Sequence, residues 1–473
     1  MDSTRVFHTK HICKFKSDCT VPKYYKNLIG LGAGTYGIVC KADVSEIKVQ
    51  EELGINFLDD DSDEETEFFE TQTDYDSNKQ SEHTELDSIP VVSEDWCFSG
   101  NFKTLQKNDL TVEKPVHVVI KRLHDPFHDR TIAKQVFREI SILKHLTENR
   151  SEYNADNVSH FVEAFSPDDY QGNASNLKSL YLVAKFEGID LTQVVNNIKY
   201  QTDYGKSFNL KVISYISYQL ACGLNYIHTS DIVHRDLKPS NIVIDSDSSV
   251  PVVKIIDFGM ARKIKGSIND DQDVSERLSD LTTYVQARAY RAPELLLDFR
   301  NSDFIYDKSI DIWSFGLVII ELIKGEPLFG SHYQQAGVTT CDHTFALIEL
   351  LGKIPYYSDL PEGTRRGMVS FAKEELAKNS VSKLRQEVEN CLSGRGFSDD
   401  DKAGEFVDLI SDLLTYGPSR VTTSDILAHQ FVADFRPDDF LENEEKPGVR
   451  IKLPWVKGFE VEEIKRMISE NCL

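Results

Sequence analysis

The sequence lacks the features that define several large classes of protein. Its eight cysteines include no C-x-x-C pair and follow no regular spacing, which disfavours a disulfide framework or a zinc site and favours a reducing compartment. The N-terminal stretch has no apolar signal core, and the strongest apolar run, Phe315 to Ile323, is far too short to cross a bilayer. We therefore expect a protein of the cytoplasm, the nucleus or both, with no membrane partner.

Basic side chains are scarce as well. The chain has 53 basic and 77 acidic residues, for a formal net charge of −24. Residues 51–100 alone hold 17 acidic side chains against the single base Lys79, which gives −16 and leaves −8 for everything else. No cluster of Lys and Arg indicates a nucleic-acid surface, so we expect no nucleic-acid partner.

The acidic region extends over residues of about 45–113. Its high charge and lack of bases prevent collapse around an apolar core, so the sequence predicts a disordered insert here. A solvated loop without a further role is one interpretation. Binding of a partner through aromatic residues such as Phe57, Phe68, Phe69 or Trp96 is the other.

Outside the insert, a strand-rich first part precedes a helix-rich second part. Val116, Val118 and Ile120 alternate as in a strand. Other strands are expected near 28–29, 38–42, 161–165 and 180–184, and clear helical stripes cover 132–143 and 213–227. We predict an α+β fold with two lobes, a small β-rich N-terminal lobe and a larger helical C-terminal lobe, and a cleft between them.

Residues Gly32 to Val39 form a G-x-G-x-x-G-x-V loop. Glycines let the backbone approach phosphate groups and point N–H groups at them. A dinucleotide-binding loop would require a helix after the last glycine, and a predicted strand follows instead. The candidate nucleotide-binding residues are Leu31, Gly32, Ala33, Gly34, Thr35, Tyr36, Gly37, Ile38 and Val39.

Lys121 and Glu139 are candidates for a buried ion pair. The two-residue period of the strand puts Val119 and Lys121 on one face, towards the glycine loop, although a solvent-facing lysine is the ordinary alternative. Glu139 lies between Val136 and Leu143 in the apolar stripe of its helix. A carboxylate on a buried face needs a cation, and Lys121 is the natural candidate.

The strongest signal is HRDLKPSN at residues 234–241, followed by a strand and then Asp257 in a DFG triplet. Phosphoryl transfer needs a carboxylate beside the incoming hydroxyl, a cation for the migrating charge and oxygen ligands for Mg²⁺. Asp236 supplies the carboxylate and Lys238 the cation, while Asn241 and Asp257 supply the metal ligands. A helix–loop–strand junction with capping Asp and Asn is the structural alternative.

With these motifs, the chain resembles the eukaryotic protein kinases over residues 25–432. Further motifs of that family are RAPE at 291–294, DIWSFG at 311–316 and Arg420. The resemblance implies use of ATP and Mg²⁺ and a nucleotide contact at Glu187, in the hinge between the lobes.

The resemblance also implies internal contacts and boundaries. Glu294 should pair with Arg420, and Asp311 should brace the catalytic loop. A regulatory spine should include Leu143, His234 and Phe258, with a strand residue that the sequence does not identify. Residues 1–24 would be an N-terminal segment, and residues 433–473 a C-terminal extension.

Within the kinases, the chain looks most like the mitogen-activated protein kinases, and its stress-activated branch in particular. The motifs that carry this likeness are HRDLKPSN with Ser240, LTTYV at 281–285, LLGKIP at 350–355, RPDD at 436–439, KRLHDPF at 121–127 and FREISILKH at 137–145.

This narrower resemblance implies a monomeric serine/threonine kinase that phosphorylates protein substrates, with Arg288 favouring Ser/Thr-Pro sites. An upstream dual-specificity kinase would activate it at Thr282 and Tyr284. Asp438 and Asp439 would dock basic peptides of substrates and activators. The alternative interpretations are that residues 282–284 are an ordinary loop tripeptide and that Asp438 and Asp439 belong to a solvated acidic turn.

Four positions depart from the family pattern. Val119 replaces the usual Ala over the adenine ring, and Ala184 replaces a larger gatekeeper. Ala287 stands where the family has a Thr that holds the catalytic Asp, and Ala289 where it has Trp. Val119, Ala287 and Ala289 support an alternative function, a pseudokinase or scaffold that binds partners through its docking segment. The complete set of polar residues described above opposes it.

Overall fold

The computed structural model describes two lobes joined by a short connection. The described residues are 7–12, 17–34, 37–44, 116–150, 156–168, 174–200, 202, 205–206, 208–245, 251–264, 287–296, 307–330, 340–355, 381–417, 420–437, 451 and 459–471. The acidic insert predicted over 45–113 lies outside these residues. The strand that precedes it ends at Val44.

The N-terminal lobe is built on a five-stranded antiparallel sheet with the order β3-β4-β5-β7-β6, and a separate hairpin of β1 and β2 precedes it in the chain. Its strands are β1 Phe7–Ile12, β2 Ser17–Pro22, β3 Tyr25–Gly34, β4 Gly37–Val44, β5 Val116–Leu123, β6 Phe161–Phe165 and β7 Tyr181–Lys185. The strands predicted at 38–42, 161–165 and 180–184 are confirmed to within a few residues. The loop predicted at Gly32 to Val39 is partly strand, because β3 extends to Gly34 and β4 begins at Gly37, with which Gly34 pairs.

One long helix, α1 (Arg130–Glu148), accompanies this sheet. Asp129 caps its N-terminus by accepting hydrogen bonds from the backbone N–H groups of Thr131 (2.7 Å) and Ile132 (2.9 Å). The apolar stripe of the helix is buried, and Glu139 is buried with it at 5% exposure. The helical periodicity of the sequence therefore brings a carboxylate into the interior of the lobe.

The C-terminal lobe is mainly helical. Its helices are α2 Leu191–Lys199, α3 Leu210–Thr229, α4 Pro293–Leu296, α5 Ser309–Lys324, α6 Thr340–Leu351, α7 Leu384–Gly394, α8 Ala403–Leu413 and α9 Thr423–Ala428. Every residue of α5 from Ile310 to Ile323 is buried, so the strongest apolar run of the sequence is a core helix. No helix among the described residues has the length and hydropathy needed to cross a membrane.

Small sheets line the lobe boundary and carry the polar motifs. They consist of β8 Ile189–Asp190, β9 Ile232–Val233, β10 Ile242–Ile244, β11 Val253–Ile255 and β12 Arg262–Lys263, paired in the orders β11-β10-β8 and β12-β9. The α+β class and the two lobes predicted from the sequence are confirmed.

Two elements were not anticipated. Residues 7–22, which the sequence analysis assigned only to an N-terminal segment, form the β1–β2 hairpin, whose buried side chains include Cys19 and Val21. A last helix, α10 (Val461–Asn471), packs on α1, and its Ile464 and Ile468 are fully buried. Both ends of the described chain therefore pack on the N-terminal lobe.

Candidate active site

A lysine between two carboxylates forms the centre of the site. Lys121 Nζ, on β5, lies 2.7 Å from Glu139 Oε1 on α1 and 3.0 Å from Asp257 Oδ1, which follows β11. Burial disfavours the charged ammonium, yet the two carboxylates raise the pKa of Lys121 above its usual value. Burial likewise opposes ionisation of Asp257, but Lys121 keeps the pKa of this carboxyl below its usual value. The lysine and Asp257 are therefore both charged at neutral pH.

The glycine-rich strands lie directly beside this lysine. Val39 on β4 pairs with Lys121 in the antiparallel register. Gly37 has φ = +143°, and an added Cβ would lie 1.9 Å from the carbonyl oxygen of Arg122, so only glycine fits at this position. Leu31, Gly32, Ile38 and the backbone of Ala33 and Gly34 belong to the same hairpin.

A buried aspartate on α5 fixes the backbone of the loop that contains Asp236. Asp311, on α5, accepts hydrogen bonds from the backbone N–H groups of His234 and Arg235, each at 2.8 Å. His228 Nε2 lies 3.0 Å from the same carboxylate. Burial opposes the charge, but the hydrogen bond to His228 and the positive surroundings hold the pKa of Asp311 below its usual value. Arg235 itself has φ = 65°, a strained conformation that this bracing supports.

Asp236 and its neighbours form a compact polar cluster. Lys238 Nζ lies 2.6 Å from Asp236 Oδ2. The amide Nδ2 of Asn241 donates to the backbone oxygen of Asp236 at 2.8 Å and to Oδ2 at 3.1 Å. Among the described residues, Asp236 Oδ1 accepts no hydrogen bond. One oxygen of the carboxylate is thus held in place and the other is left to contact a ligand.

Asn241 and Asp257 lie on adjacent chain segments. The backbone N–H of Ile256 donates to the carbonyl oxygen of Asn241 at 3.0 Å, which puts Asp257 next to the asparagine. Asn241 uses its amide N–H₂ for Asp236, and Asp257 uses Oδ1 for Lys121, so within the described chain Asn241 Oδ1 and Asp257 Oδ2 accept no hydrogen bond. One amide oxygen and one carboxylate oxygen fit a hard divalent cation that takes its other ligands from phosphates and water.

The described residues contain no cluster of three or more His, Cys, Asp or Glu side chains that could hold a metal ion.

His234 and Phe258 link this loop to the helix α1. Their rings lie 5.1 Å apart at a steep angle, and Phe258 packs in the same buried cluster as Leu143. His234 Nε2 is also 3.0 Å from the carbonyl oxygen of Ile256. The three spine residues named from the sequence thus lie in one connected core region.

The ion pair expected between Glu294 and Arg420 is present. Arg420 binds Glu294 through two parallel hydrogen bonds, at 2.8 and 3.1 Å, and both side chains are buried. Nearby, Tyr290 donates to Glu321 Oε2 at 2.8 Å. Burial raises the pKa of Glu321 to about 7, although the hydrogen bond from Tyr290 opposes this shift.

The structure also shows where the departing positions lie. Val119 on β5 stands directly opposite Ala184 on β7, so the larger and the smaller side chain are cross-strand neighbours. Ala289 is buried, while Ala287 is half-buried at the start of a short helical turn.

Sequence reasoning missed the role of the Glu187 side chain. Its Oε2 lies 2.6 Å from Lys254 Nζ on β11, and both residues are buried. Oε1 is also buried and has no hydrogen-bond partner among the described residues. The adjacent Gly188 has φ = +104°, and a Cβ there would lie 2.2 Å from the carbonyl oxygen of Ile244. No local sequence pattern links Glu187 to a lysine so far along the chain.

Some predicted residues lie outside the described chain. They are Thr35 and Tyr36 of the glycine loop, Thr282 and Tyr284, and the acidic pair Asp438 and Asp439.

Comparisons with known proteins agree with this geometry. Residues 104–432 match the family described as protein kinase domain. The chain is 31% identical to mitogen-activated protein kinase HOG1 of Cryphonectria parasitica over 70% of this chain and 75% of that protein. It is 32% identical to mitogen-activated protein kinase HOG1 of Gibberella zeae over 70% of this chain and 76% of that protein. It is also 32% identical to mitogen-activated protein kinase sakA of Aspergillus fumigatus, over 70% of this chain and 74% of that protein.

Proposed function

Since the chain belongs to the mitogen-activated protein kinase family, we propose that the cluster around Lys121 and Asp236 transfers the γ-phosphate of ATP to serine or threonine hydroxyls of protein substrates. The family uses ATP and a divalent metal ion. One observation carries the assignment of the site: a lysine with two carboxylates within 3.0 Å faces the cleft beside a glycine-rich hairpin.

Asp236 acts as the base in this proposal. Its Oδ2 is held by Lys238 and Asn241, and these contacts support a role for the remaining Oδ1 in orienting the incoming hydroxyl and accepting its proton. Lys238, 2.6 Å from the carboxylate, is positioned to neutralise charge on the migrating phosphoryl group.

The nucleotide is held by residues of both lobes. ATP with Mg²⁺ supplies the phosphoryl group, and the free oxygens of Asn241 and Asp257 support these two residues as ligands of the metal. Lys121 orients the phosphates, while Glu139 fixes the lysine. The backbone of residues 31–39 covers the phosphates, and the hinge around Glu187 borders the adenine site.

The organisation of the chain follows the same proposal. A kinase domain of residues 25–432, interrupted by the acidic insert at 45–113, lies between the N-terminal segment 1–24 and the extension 433–473. The family match that ends at residue 432 supports the C-terminal boundary. We propose a monomer that works in the cytoplasm or nucleus.

Activation is proposed to require phosphorylation at Thr282 and Tyr284 by an upstream dual-specificity kinase. Family membership supports this. Arg235, whose Nε donates to the backbone oxygen of Met260 at 2.7 Å, supplies a positive charge near the start of the segment. Replacing both residues with alanine should abolish stimulated kinase activity in cells. Unchanged activity would contradict the proposal.

Recruitment of substrates and activators is proposed to use Asp438 and Asp439, and Arg288 to favour proline after the phosphorylated residue. Family membership supports both. Exchange of both aspartates for Asn should weaken binding of basic docking peptides without changing phosphorylation of a short Ser-Pro peptide.

The deciding experiment measures transfer of the γ-phosphate to a Ser-Pro peptide by protein phosphorylated at Thr282 and Tyr284. Asp236→Asn should lower kcat by orders of magnitude while ATP binding persists. Asp408→Asn, at an exposed ion pair with Arg385, is the matched control and should leave transfer unchanged. Equal activity of the wild type and the Asp236 variant would remove this residue from the mechanism.

A scaffold without catalysis is the second candidate. Ala287 provides no hydroxyl to steady the catalytic aspartate, and loosely held catalytic groups can cost about 10²-fold in rate. In the same experiment, ATP and docking-peptide binding without any phosphate transfer would favour the scaffold.

A further inference from the structure

The chain segment just after Asp257 is held by one side chain from each lobe. Gln135, on α1, donates from Nε2 to the carbonyl oxygen of Gly259 at 2.8 Å. Arg235, in the C-terminal lobe, donates from Nε to the carbonyl oxygen of Met260, the next residue, at 2.7 Å. We propose that Gln135 is a positioning residue, whose amide keeps the Asp257 carboxylate in the orientation that binds the metal ion of the nucleotide. This inference rests on the proposed function, in which Asp257 is a ligand of that ion.

Asp257 has a backbone conformation that needs support. Its φ is 62° and its ψ is 82°, in the left-handed region that residues with a Cβ seldom adopt. Such a conformation persists only where the surroundings fix it. The short turn Phe258–Met260 that follows is closed by its own hydrogen bond, from the backbone N–H of Ala261 to the carbonyl oxygen of Phe258 at 3.0 Å. That bond shapes the turn, but contacts with other elements must fix its place relative to the lobes.

Gln135 connects this turn to the helix that also holds the active-site lysine. Gln135 and Glu139 are four residues apart and therefore lie on the same face of α1. Glu139 Oε1 is 2.7 Å from Lys121 Nζ, and Lys121 Nζ is in turn 3.0 Å from Asp257 Oδ1. The helix thus reaches Asp257 by two routes, through Lys121 to its side chain and through Gly259 to its backbone.

The absence of a side chain at Gly259 allows this close approach. A Cβ there would lie 3.3 Å from Glu139 Oε2 and 3.3 Å from Asp257 Oδ1, which is tighter than an ordinary van der Waals contact. The acceptor of the hydrogen bond is a main-chain oxygen, and the donor is a side chain. Met260 Sδ lies 3.9 Å from the same Nε2 and adds only a weak contact. The connection between α1 and the turn at this point therefore depends on the residue at position 135.

A shift of the turn would change the orientation of the carboxylate. Asp257 Oδ1 is contacted by Lys121 Nζ at 3.0 Å and by the backbone N–H of Gly259 at 3.4 Å. Gly259 thus donates to the carboxylate with its N–H group and accepts from Gln135 with its carbonyl oxygen. Because both groups belong to one residue, displacement of the carbonyl group also displaces the N–H group at Oδ1. The direction of Oδ2, the oxygen proposed to bind the metal ion, would change with it.

A glutamine that only stabilises the fold is the alternative that the test must exclude. Loss of such a residue would affect binding of all nucleotides alike. A positioning role is selective, since only a nucleotide that brings a metal ion uses the Asp257 carboxylate. Loss of one hydrogen bond of this kind changes an equilibrium constant by about fivefold, so the effect is measurable by direct binding.

The experiment measures ATP binding to the full-length protein by isothermal titration calorimetry, once with Mg²⁺ and once with EDTA. Gln135→Met keeps the length of the side chain and removes the donor. It should weaken binding of Mg²⁺-ATP about fivefold, while the affinity in EDTA changes less than about twofold. Gln135→His, whose Nε2–H is the same number of bonds from Cβ, should restore the affinity for Mg²⁺-ATP to within about twofold of the wild type. Gln386→Met changes an exposed glutamine of α7 and is the matched control, which should alter neither affinity.

Equal weakening with Mg²⁺ and with EDTA would overturn the inference, because it would assign Gln135 to the fold or to the nucleotide itself. Unchanged binding of Mg²⁺-ATP by Gln135→Met would overturn it as well, as would a Gln135→His variant as weak as Gln135→Met. The readout does not need phosphate transfer. A wild type that bound Mg²⁺-ATP without transferring phosphate would therefore contradict the proposed catalysis and leave this inference intact, whereas a wild type that bound no Mg²⁺-ATP would contradict both.

Discussion

The buried ion pair between Glu187 and Lys254 allows a prediction whose size can be worked out from the structure. The two charged atoms are 2.6 Å apart, and their side chains are only 6% and 9% exposed. Removing one partner leaves the other charge buried without compensation, which costs about 3–5 kcal/mol. We therefore expect Glu187→Met and Lys254→Met each to lower the free energy of unfolding by about 3 kcal/mol.

The double variant, with methionine at both positions, should behave differently. It buries no charge at all, so most of the loss should be recovered, to within about 1 kcal/mol of the wild type. Urea unfolding followed by tryptophan fluorescence measures all four proteins. Asp408→Asn, at the exposed pair with Arg385 (3.0 Å), is the control and should change stability by less than about 0.5 kcal/mol.

The same variants test whether the pair positions the hinge. Lys254 lies in register with Val243, which in turn pairs with Asp190 just after the hinge. Loss of the pair should raise KM for ATP more than it lowers kcat, because the proposed function puts the hinge beside the adenine site and not beside the phosphates. Strictly additive losses in the double variant, or single losses no larger than that of the control, would refute this reasoning.

Two further predictions follow from named contacts. Ala184 stands opposite Val119, and the proposed function puts both residues beside the adenine site. Adenine-like inhibitors with bulky aromatic groups should therefore inhibit the wild type strongly and Ala184→Met weakly in a peptide kinase assay; equal potency would show that the pocket is assigned wrongly. The pKa of Glu321 rises from 4.5 to about 7 in the folded protein, so the folded state binds the proton more tightly. Protonated Glu321 therefore stabilises the folded protein below pH 4.5. This contribution to the free energy of unfolding, about 3 kcal/mol at most, is lost as the pH rises through 7. Urea unfolding from pH 4.5 to 8 should therefore show a pH-dependent loss in the wild type that is absent in Glu321→Gln, and identical pH profiles would contradict this assignment.

The contacts that sequence reasoning predicted best are those in which periodicity determines direction. Strand alternation put Lys121 on the face opposite Val118 and Ile120, and helical spacing put Glu139 on the buried side of α1. Glu139 was expected to be buried and Lys121 to face inward. Because an isolated buried charge is costly, the two side chains were predicted to pair. The observed 2.7 Å contact confirms that reasoning.

The elements that were missed have weak local signals. In β1 most side chains remain partly or fully exposed, so its sequence has no clear apolar alternation. The Glu187–Lys254 pair joins a hinge to a strand through folding of the whole chain, and neither residue stands in a distinctive pattern. Tertiary packing determines both, and a single sequence does not encode that packing in any short window.

The position of α10 has a consequence for how the protein is made. Ile464 and Ile468 are fully buried against the small lobe, Lys465 lies 5.4 Å above the ring of Phe127, and Glu460 approaches Arg130. Burying two isoleucines contributes about 3–6 kcal/mol. The ribosome delivers α10 only after every other described element has been synthesised. During translation, the apolar surface of the small lobe that α10 covers therefore stays exposed until residues 461–471 have been synthesised.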